Sequence, residues 1–174
     1  MGIKERYDCL RWVEYISHRL GEDTPILLAG CSMGASTIMM SAQLLPEQVK
    51  GLICDCGYSS VKGMIRAVAG KMHIPAVPAY FVLRLSARLF GAFDPESCSA
   101  LSSLAKSRIP VLIIHGEDDR LVPCAMAREN YEASASDIKM LLTVPGAGHG
   151  LSFLADEKKY RETFQAFLKK IGLL

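Results

Sequence analysis

The chain has 174 residues, of which half are hydrophobic and 22% are charged, and it carries a formal net charge of +2. This composition predicts one globular domain that buries a substantial core. The charge is too close to neutral, and basic and aromatic residues too little interleaved, for nucleic acid to be the expected partner. No stretch of ~20 apolar residues is free of charges, so no membrane span is predicted.

The amino terminus and the cysteines indicate the compartment. Residues 1–6 are charged and run into a predicted helix without the apolar core of a signal peptide. The six cysteines include no C-x-x-C pair and no Cys/His cluster with zinc spacing. An even count leaves disulfides open, but we expect reduced thiols and a cytoplasmic location.

Apolar spacing and turn residues predict alternating helices and strands along most of the chain. Helices are predicted at 4–20, 33–45, 124–135 and 156–170, and strands at 25–30, 49–56, 110–115 and 138–144. Near-continuous apolar strands separated by helices are typical of a parallel sheet that is covered on both faces. The predicted fold is therefore α/β, a three-layer α/β/α sandwich around a mostly parallel sheet, in a single domain over 1–174.

A long excursion, residues 58–109, separates the second and third predicted strands. Its segment 61–92 is helical in pattern and strongly apolar, and the whole excursion is too long for a simple connection. It is either a crossover helix with extra packing or a helical cap over the carboxyl edge of the sheet. A cap would be lined by side chains such as Met64, Tyr80 and Phe81 with Leu85.

The pentapeptide Gly30-Cys31-Ser32-Met33-Gly34 lies between the first strand and the helix that follows it. A G-x-S-x-G sequence in this context predicts a nucleophile elbow, in which the serine occupies a sharp, strained turn. Such a turn raises the Ser32 hydroxyl to the carboxyl edge of the sheet. The flanking glycines are expected to allow close approach of strand and helix.

A serine nucleophile needs a base within hydrogen-bond reach, and histidine is the usual one. Of the four histidines, His18 lies on the polar side of the first helix and His73 lies in the excursion, while His115 ends the third strand in a structural position. His149 follows the fourth strand in a loop of small residues at the edge where Ser32 emerges. Position therefore favours His149.

An acid must orient that histidine and stabilise its charged form. Three acids, Glu117, Asp118 and Asp119, follow the third strand, and the residues alone do not decide between the two aspartates. Asp55, at the end of the second strand, is a further candidate because it also lies at the carboxyl edge. Its alternative role would be to tether the loop 57–60.

Three motifs together resemble the α/β-hydrolase superfamily: the elbow, His115-Gly116-Glu117-Asp118-Asp119-Arg120-Leu121-Val122-Pro123, and Gly146-Ala147-Gly148-His149. The elbow and Asp55-Cys56-Gly57-Tyr58 look most like bacterial serine esterase-like members. The order serine, acid, histidine is also that of the family. The resemblance implies a triad of Ser32, Asp119 and His149, without a metal or organic cofactor. It also implies Met33 N–H as an oxyanion donor.

The chain departs from the family pattern at its amino end. Only some 24 residues precede the elbow strand, where the family has about four strands and a helix. The loop that normally carries the second oxyanion donor is missing, and the strand Ile26-Leu27-Leu28-Ala29 is expected to be an exposed apolar edge. We therefore expect a truncated α/β-hydrolase fold that self-associates through this edge or belongs to a longer chain, whose missing part could hold a targeting segment.

The resemblance implies hydrolysis of a carboxylic ester of modest size by a serine hydrolase through an acyl-enzyme. A small-molecule ester is the expected substrate, while thioesters and amides stay open. The alternative is a catalytically impaired domain that acts in self-association or protein interaction, since half of the expected sheet is missing.

Overall fold

The computed structural model describes residues 1–174. Its strands are β1 (Ile26–Cys31), β2 (Val49–Asp55), β3 (Val111–Gly116) and β4 (Lys139–Val144). Its helices are α1 (Glu5–Leu20), α2 (Met33–Ser41), α3 (Val61–Lys71), α4 (Ala76–Phe90), α5 (Ala100–Leu104), α6 (Ala125–Ala133), α7 (Ser152–Ala155) and α8 (Glu157–Lys170). No helix combines the length and apolar character that crossing a bilayer requires.

The four strands form one parallel sheet in the order β1-β2-β3-β4. Because all strands run the same way, their carboxyl ends meet at one edge. Cys31 at the end of β1 pairs in register with Asp55 at the end of β2, and Gly116 pairs with Val144. The residues that follow β1, β3 and β4 therefore all emerge at this edge, which brings Ser32 to the same edge as the loops carrying Asp119 and His149.

Helices cover both faces of the sheet, so the predicted three-layer α/β/α architecture is confirmed. Val13 of α1, Met39 of α2 and Leu104 of α5 pack with alternate strand residues on one face. Phe167 of α8 packs with Leu112 and the other strand residues of the opposite face. Burying both faces explains why the strands are apolar at nearly every position.

The observed elements differ from the predicted ones mainly at short or interrupted helices. The predicted helix 33–45 ends at Ser41, and the one-turn helices α5 and α7 were not expected from the sequence. The apolar segment 61–92 forms two helices, α3 and α4, that are broken between Lys71 and Ala76. Pro75 disfavours a helical backbone at the residue before it, which accounts for the break.

Strand β1 forms one edge of the sheet, as expected, but its side chains are less exposed than the sequence suggested. Ile26 is buried, and Leu27 and Leu28 are half-buried because they pack against the two cores. The exposed side chains are those of Ala29 and Cys31. The expected apolar edge is therefore mainly an edge of unpaired backbone.

Candidate active site

The turn between β1 and α2 has the strained geometry that the pentapeptide predicts. Ser32 has φ 53° and ψ −118°, a backbone conformation that residues with a side chain rarely adopt. A Cβ atom at Gly30 would lie 2.6 Å from the carbonyl carbon of Gly34, so only glycine fits there. A Cβ atom at Gly34 would meet nothing within 4 Å, so the expected steric need for glycine is wrong at that position.

The loop that carries His149 packs directly onto the end of β3. The backbone N–H of Asp118 donates to the carbonyl of Ala147 over 3.0 Å. A Cβ atom at Gly116 would lie 2.3 Å from that same carbonyl oxygen, so a larger residue would push the loop away. Gly116 thus fixes the distance between the loops that carry Asp119 and His149.

The structure brings Ser32, His149 and Asp119 into one hydrogen-bonded chain. His149 Nε2 lies 2.8 Å from Ser32 Oγ, and His149 Nδ1 lies 2.7 Å from Asp119 Oδ2. A carboxylate only accepts, so the proton of the neutral imidazole belongs on Nδ1. Nε2 then has a lone pair that faces the Ser32 hydroxyl, which is the arrangement a general base needs.

Asp119 is buried and all its bonds come from N–H donors. Its Oδ1 accepts from the backbone N–H groups of Leu121 at 2.8 Å and Val122 at 2.9 Å. Besides His149, Oδ2 has His115 Nε2 at 3.2 Å. Because Val122 O lies 2.9 Å from that same nitrogen and can only accept, His115 carries its proton on Nε2. His115 is fully buried, which agrees with the structural position expected for it.

The other candidates from the sequence lie outside this chain of contacts. His18 and His73 are exposed, and Asp118 is exposed beside Asp119. Asp55 is buried and accepts from Tyr160 Oη at 3.3 Å and Ser152 Oγ at 3.5 Å. It therefore tethers α7 and α8, whereas the sequence suggested the loop 57–60. Burial raises the pKa of the Asp55 carboxyl, and the hydrogen bond from Tyr160 partly opposes this effect.

Met33, the predicted oxyanion donor, is the first residue of α2. The N–H groups of the first helical turn have no carbonyl partner within the helix, and the helix dipole is positive there. The Met33 N–H is thus a donor beside the Ser32 hydroxyl. An open cleft of about 510 Å³ borders His149 and is lined mainly by Asp118, Arg120 and Leu121.

Two thiols that the sequence did not single out also adjoin the site. Cys31 Sγ lies 3.4 Å from Cys56 Sγ, and Cys56 Sγ lies 4.0 Å from His149 Nε2. Cys56, Asp119 and His149 offer atoms that all lie within 4.8 Å of one another, a spacing that could hold a metal ion. The two cysteines are 25 positions apart in the chain, so no short spacing signature could have revealed them.

Solved structures with the same fold cover almost the whole chain. The Pyrococcus furiosus esterase Pf2001 superposes with a TM-score of 0.71 at 21% identity, over 98% of this chain and 62% of that protein. The Paleococcus ferrophilus monoacylglycerol lipase superposes with a TM-score of 0.68 at 15% identity, over 97% of this chain and 76% of that protein. The chain therefore has the α/β-hydrolase fold.

Sequence comparisons match part of the chain to a family model and nearly all of it to a bacterial protein. A family model described as serine aminopeptidase, S33, matches residues 77–156, which contain Asp119 and His149 but not Ser32. The Bacillus subtilis protein YqkD is 25% identical over 173 residues, which are 98% of this chain and 56% of YqkD. The chain therefore spans little more than half of that relative and 62% of the Pyrococcus esterase.

Proposed function

We propose that the chain is a serine hydrolase that cleaves a carboxylic ester through an acyl-enzyme. The observation that carries the proposal is the continuous chain of hydrogen bonds from Ser32 through His149 to the buried Asp119. The esterase and the lipase among the solved structures of the same fold support it further.

In the proposed reaction the Ser32 oxygen attacks the acyl carbon while its proton passes to His149 Nε2. Asp119 holds the imidazole by its Nδ1–H and stabilises the imidazolium that forms. The Met33 N–H donates to the oxyanion of the tetrahedral intermediate. His149 then returns the proton to the leaving alcohol, and water repeats the sequence to release the acid.

We also propose that α3 and α4 act as a cap that shapes the acyl side of the cleft. Met64 is half-buried against the cluster that contains Val61 and Met126, and Tyr80 is buried. Phe81 and Leu85 are exposed, which leaves an apolar surface on α4 available to a substrate chain.

We also propose a cytoplasmic location for the protein, because its six free thiols fit a reducing compartment.

A fluorophosphonate probe tests the proposal because it labels only an activated serine. We expect the full chain to be labelled at Ser32 and to hydrolyse a short nitrophenyl ester. Ser32→Ala should abolish both signals, whereas Ser86→Ala, which alters an exposed serine on α4, should change neither. Labelling that persists in folded Ser32→Ala protein, or that is absent from the folded native chain, would contradict the assignment.

The catalytically impaired alternative has support in one observation, the edge strand β1 that has no partner on its outer side. It predicts a folded chain that associates but neither reacts with the probe nor hydrolyses the ester. The same experiment therefore separates the two proposals.

A further inference from the structure

The thiols of Cys31 and Cys56 have no role in the proposed reaction, although both adjoin its base. Their sulfur atoms are 3.4 Å apart, and the Cys56 sulfur lies 4.0 Å from His149 Nε2. Neither cysteine is in a disulfide. Cys56 is fully buried, whereas Cys31 is exposed. The pair therefore combines a fixed inner sulfur with one that meets solvent.

The fold positions this pair at the carboxyl edge of the sheet. Cys31 ends β1 and pairs in register with Asp55, which immediately precedes Cys56. Cys56 has φ 47°, a left-handed conformation that is costly for a residue with a side chain. A Cβ atom at Gly150 would lie 3.5 Å from Cys31 Sγ, so the outer sulfur also borders the His149 loop.

We propose that Cys31, Cys56 and His149 form a binding site for a thiophilic divalent cation of the Zn²⁺ class. A tetrahedral zinc ion separates two sulfur ligands by about 3.8 Å, and a sulfur and a nitrogen ligand by about 3.6 Å. The observed separations, 3.4 Å and 4.0 Å, each differ from these values by about 0.4 Å. The exposed Cys31 side chain can adjust its rotamer to reach the third corner.

The surroundings of His149 match those of a histidine that binds metal. Such histidines almost always donate their second ring N–H to a carboxylate or a carbonyl, which fixes the ring and the tautomer. His149 Nδ1 donates to Asp119 Oδ2 over 2.7 Å. Asp119 already accepts from several N–H groups, so it orients the imidazole and does not bind the ion. The fourth ligand is Ser32 Oγ or a water molecule.

Binding at this site exchanges two protons for the cation. Each thiol loses its proton and donates a sulfur lone pair to the ion, and His149 donates the lone pair of Nε2. Since the ion competes with these protons, its affinity should increase as the pH rises.

A bound cation would inhibit the reaction, an expectation that rests on the proposed function. The Nε2 lone pair that coordinates the ion is the one that would accept the Ser32 proton. Removal of the ion by a chelator should restore activity. The site would thus make hydrolysis sensitive to free thiophilic metal.

Cobalt titration of the full chain, kept reduced with a phosphine, tests the site without using activity. We expect a thiolate-to-cobalt charge-transfer band that saturates at one ion per chain and is displaced by Zn²⁺. Cys31→Ser and Cys56→Ser should each weaken binding by more than about 10-fold. Cys9→Ser and Cys124→Ser, which alter cysteines outside the site, should leave the affinity unchanged.

Ser32→Ala separates the two proposals because it removes the nucleophile and keeps all three proposed ligands. A persistent cobalt band in this variant supports the metal site, whatever the fate of the esterase assignment. If Cys56→Ser fails to fold, the test uses Cys31→Ser alone, because the Cys31 side chain is exposed and its replacement should not disturb folding. The absence of a thiolate band from the folded native chain, or an affinity that is unchanged in folded Cys31→Ser, would overturn the proposal.

Discussion

Asp118 and Asp119 are neighbours in the chain but have opposite surroundings. Asp118 is exposed beside the cleft, whereas Asp119 is buried and accepts the Nδ1–H of His149. The residue pattern alone could not separate them, and the family resemblance pointed to Asp119. The structural difference makes this pair a matched test of which carboxylate orients the base.

We expect Asp119→Asn to lower kcat on a nitrophenyl ester on the order of 10⁴-fold, because an amide would favour the wrong tautomer of His149. Asp118→Asn removes the adjacent charge and should change kcat less than about 10-fold. Steady-state kinetics of the two variants, with circular dichroism to verify folding, provide the measurement. Similar losses in both variants would argue against the role proposed for Asp119.

The candidate residues Ser32 and His149 could be predicted because each follows a predicted strand at the same edge of the sheet. The contact between Cys31 and Cys56 could not, since it depends on the register of β1 against β2. The close approach of Gly116 to the carbonyl of Ala147 could not be predicted either, because the two residues lie some 30 positions apart in the chain. Local patterns identify residue types at an edge, whereas distances across the edge require the packed sheet.

At the scale of elements, ionic contacts tie α4 to the loop that follows it. Arg84 forms a two-bond pair with Asp94 at 2.8 and 2.9 Å, and Arg88 also contacts Asp94. Lys62 of α3 binds Glu96 at 2.9 Å, and Arg84 contacts Glu96 as well. Because α4 otherwise packs mainly on α3, these contacts restrict its movement.

The hydrogen bonds from Arg84 hold the pKa of the Asp94 carboxyl well below its usual value of 3.8. A depressed pKa in the folded state stabilises that state above the usual pKa, and the contribution is lost as the pH falls below it. We therefore expect the amides of α4 to keep their protection from hydrogen exchange between neutrality and about pH 4, and to lose it progressively as the pH falls further.

Asp94→Asn should remove most of this pH dependence and leave α4 less protected at neutral pH. Asp23→Asn, which alters an exposed carboxylate in the turn after α1, serves as the matched control. Mass-spectrometric exchange, corrected for the intrinsic rate at each pH, would show the difference. Equal pH profiles for α4 in the native chain and Asp94→Asn would contradict this role of the ion cluster.

The long elements were predictable from apolar spacing, whereas the short ones were not. Helices α5 and α7 have five and four residues, too few to display a period. The predicted extension of α2 to residue 45 followed from apolar residues that instead form a turn. Pro46 disfavours a helical backbone at Leu45, so the helix could not include that residue.

At the scale of the whole molecule, two surfaces have no partner within the chain. The outer edge of β1 presents unpaired backbone, and α4 exposes apolar side chains that include Val77, Phe81 and Phe90. Contiguous exposed apolar side chains and open strand edges both favour association.

The hydrophobic clusters on the two faces of the sheet share the same four strands, so we propose that residues 1–174 act as a single domain.

We expect the isolated chain to form concentration-dependent homo-oligomers through β1. Ala29→Lys places a charge on the exposed side of this strand and should shift the protein toward the monomer. Ala105→Lys, at an exposed position after α5, is the control and should not. Sedimentation velocity over a wide concentration range distinguishes the outcomes, and a native chain that stays monomeric throughout would contradict the expectation.

The left-handed backbone of Ser32 has a consequence for how this sequence tolerates change. A conformation of this kind costs on the order of 1–3 kcal/mol for a residue with a side chain, and glycine avoids most of that cost. A directed-evolution experiment that rewards thermal stability alone would therefore tend to enrich glycine at position 32. The proposed nucleophile would then be among the first residues lost, and only selection for activity would retain it.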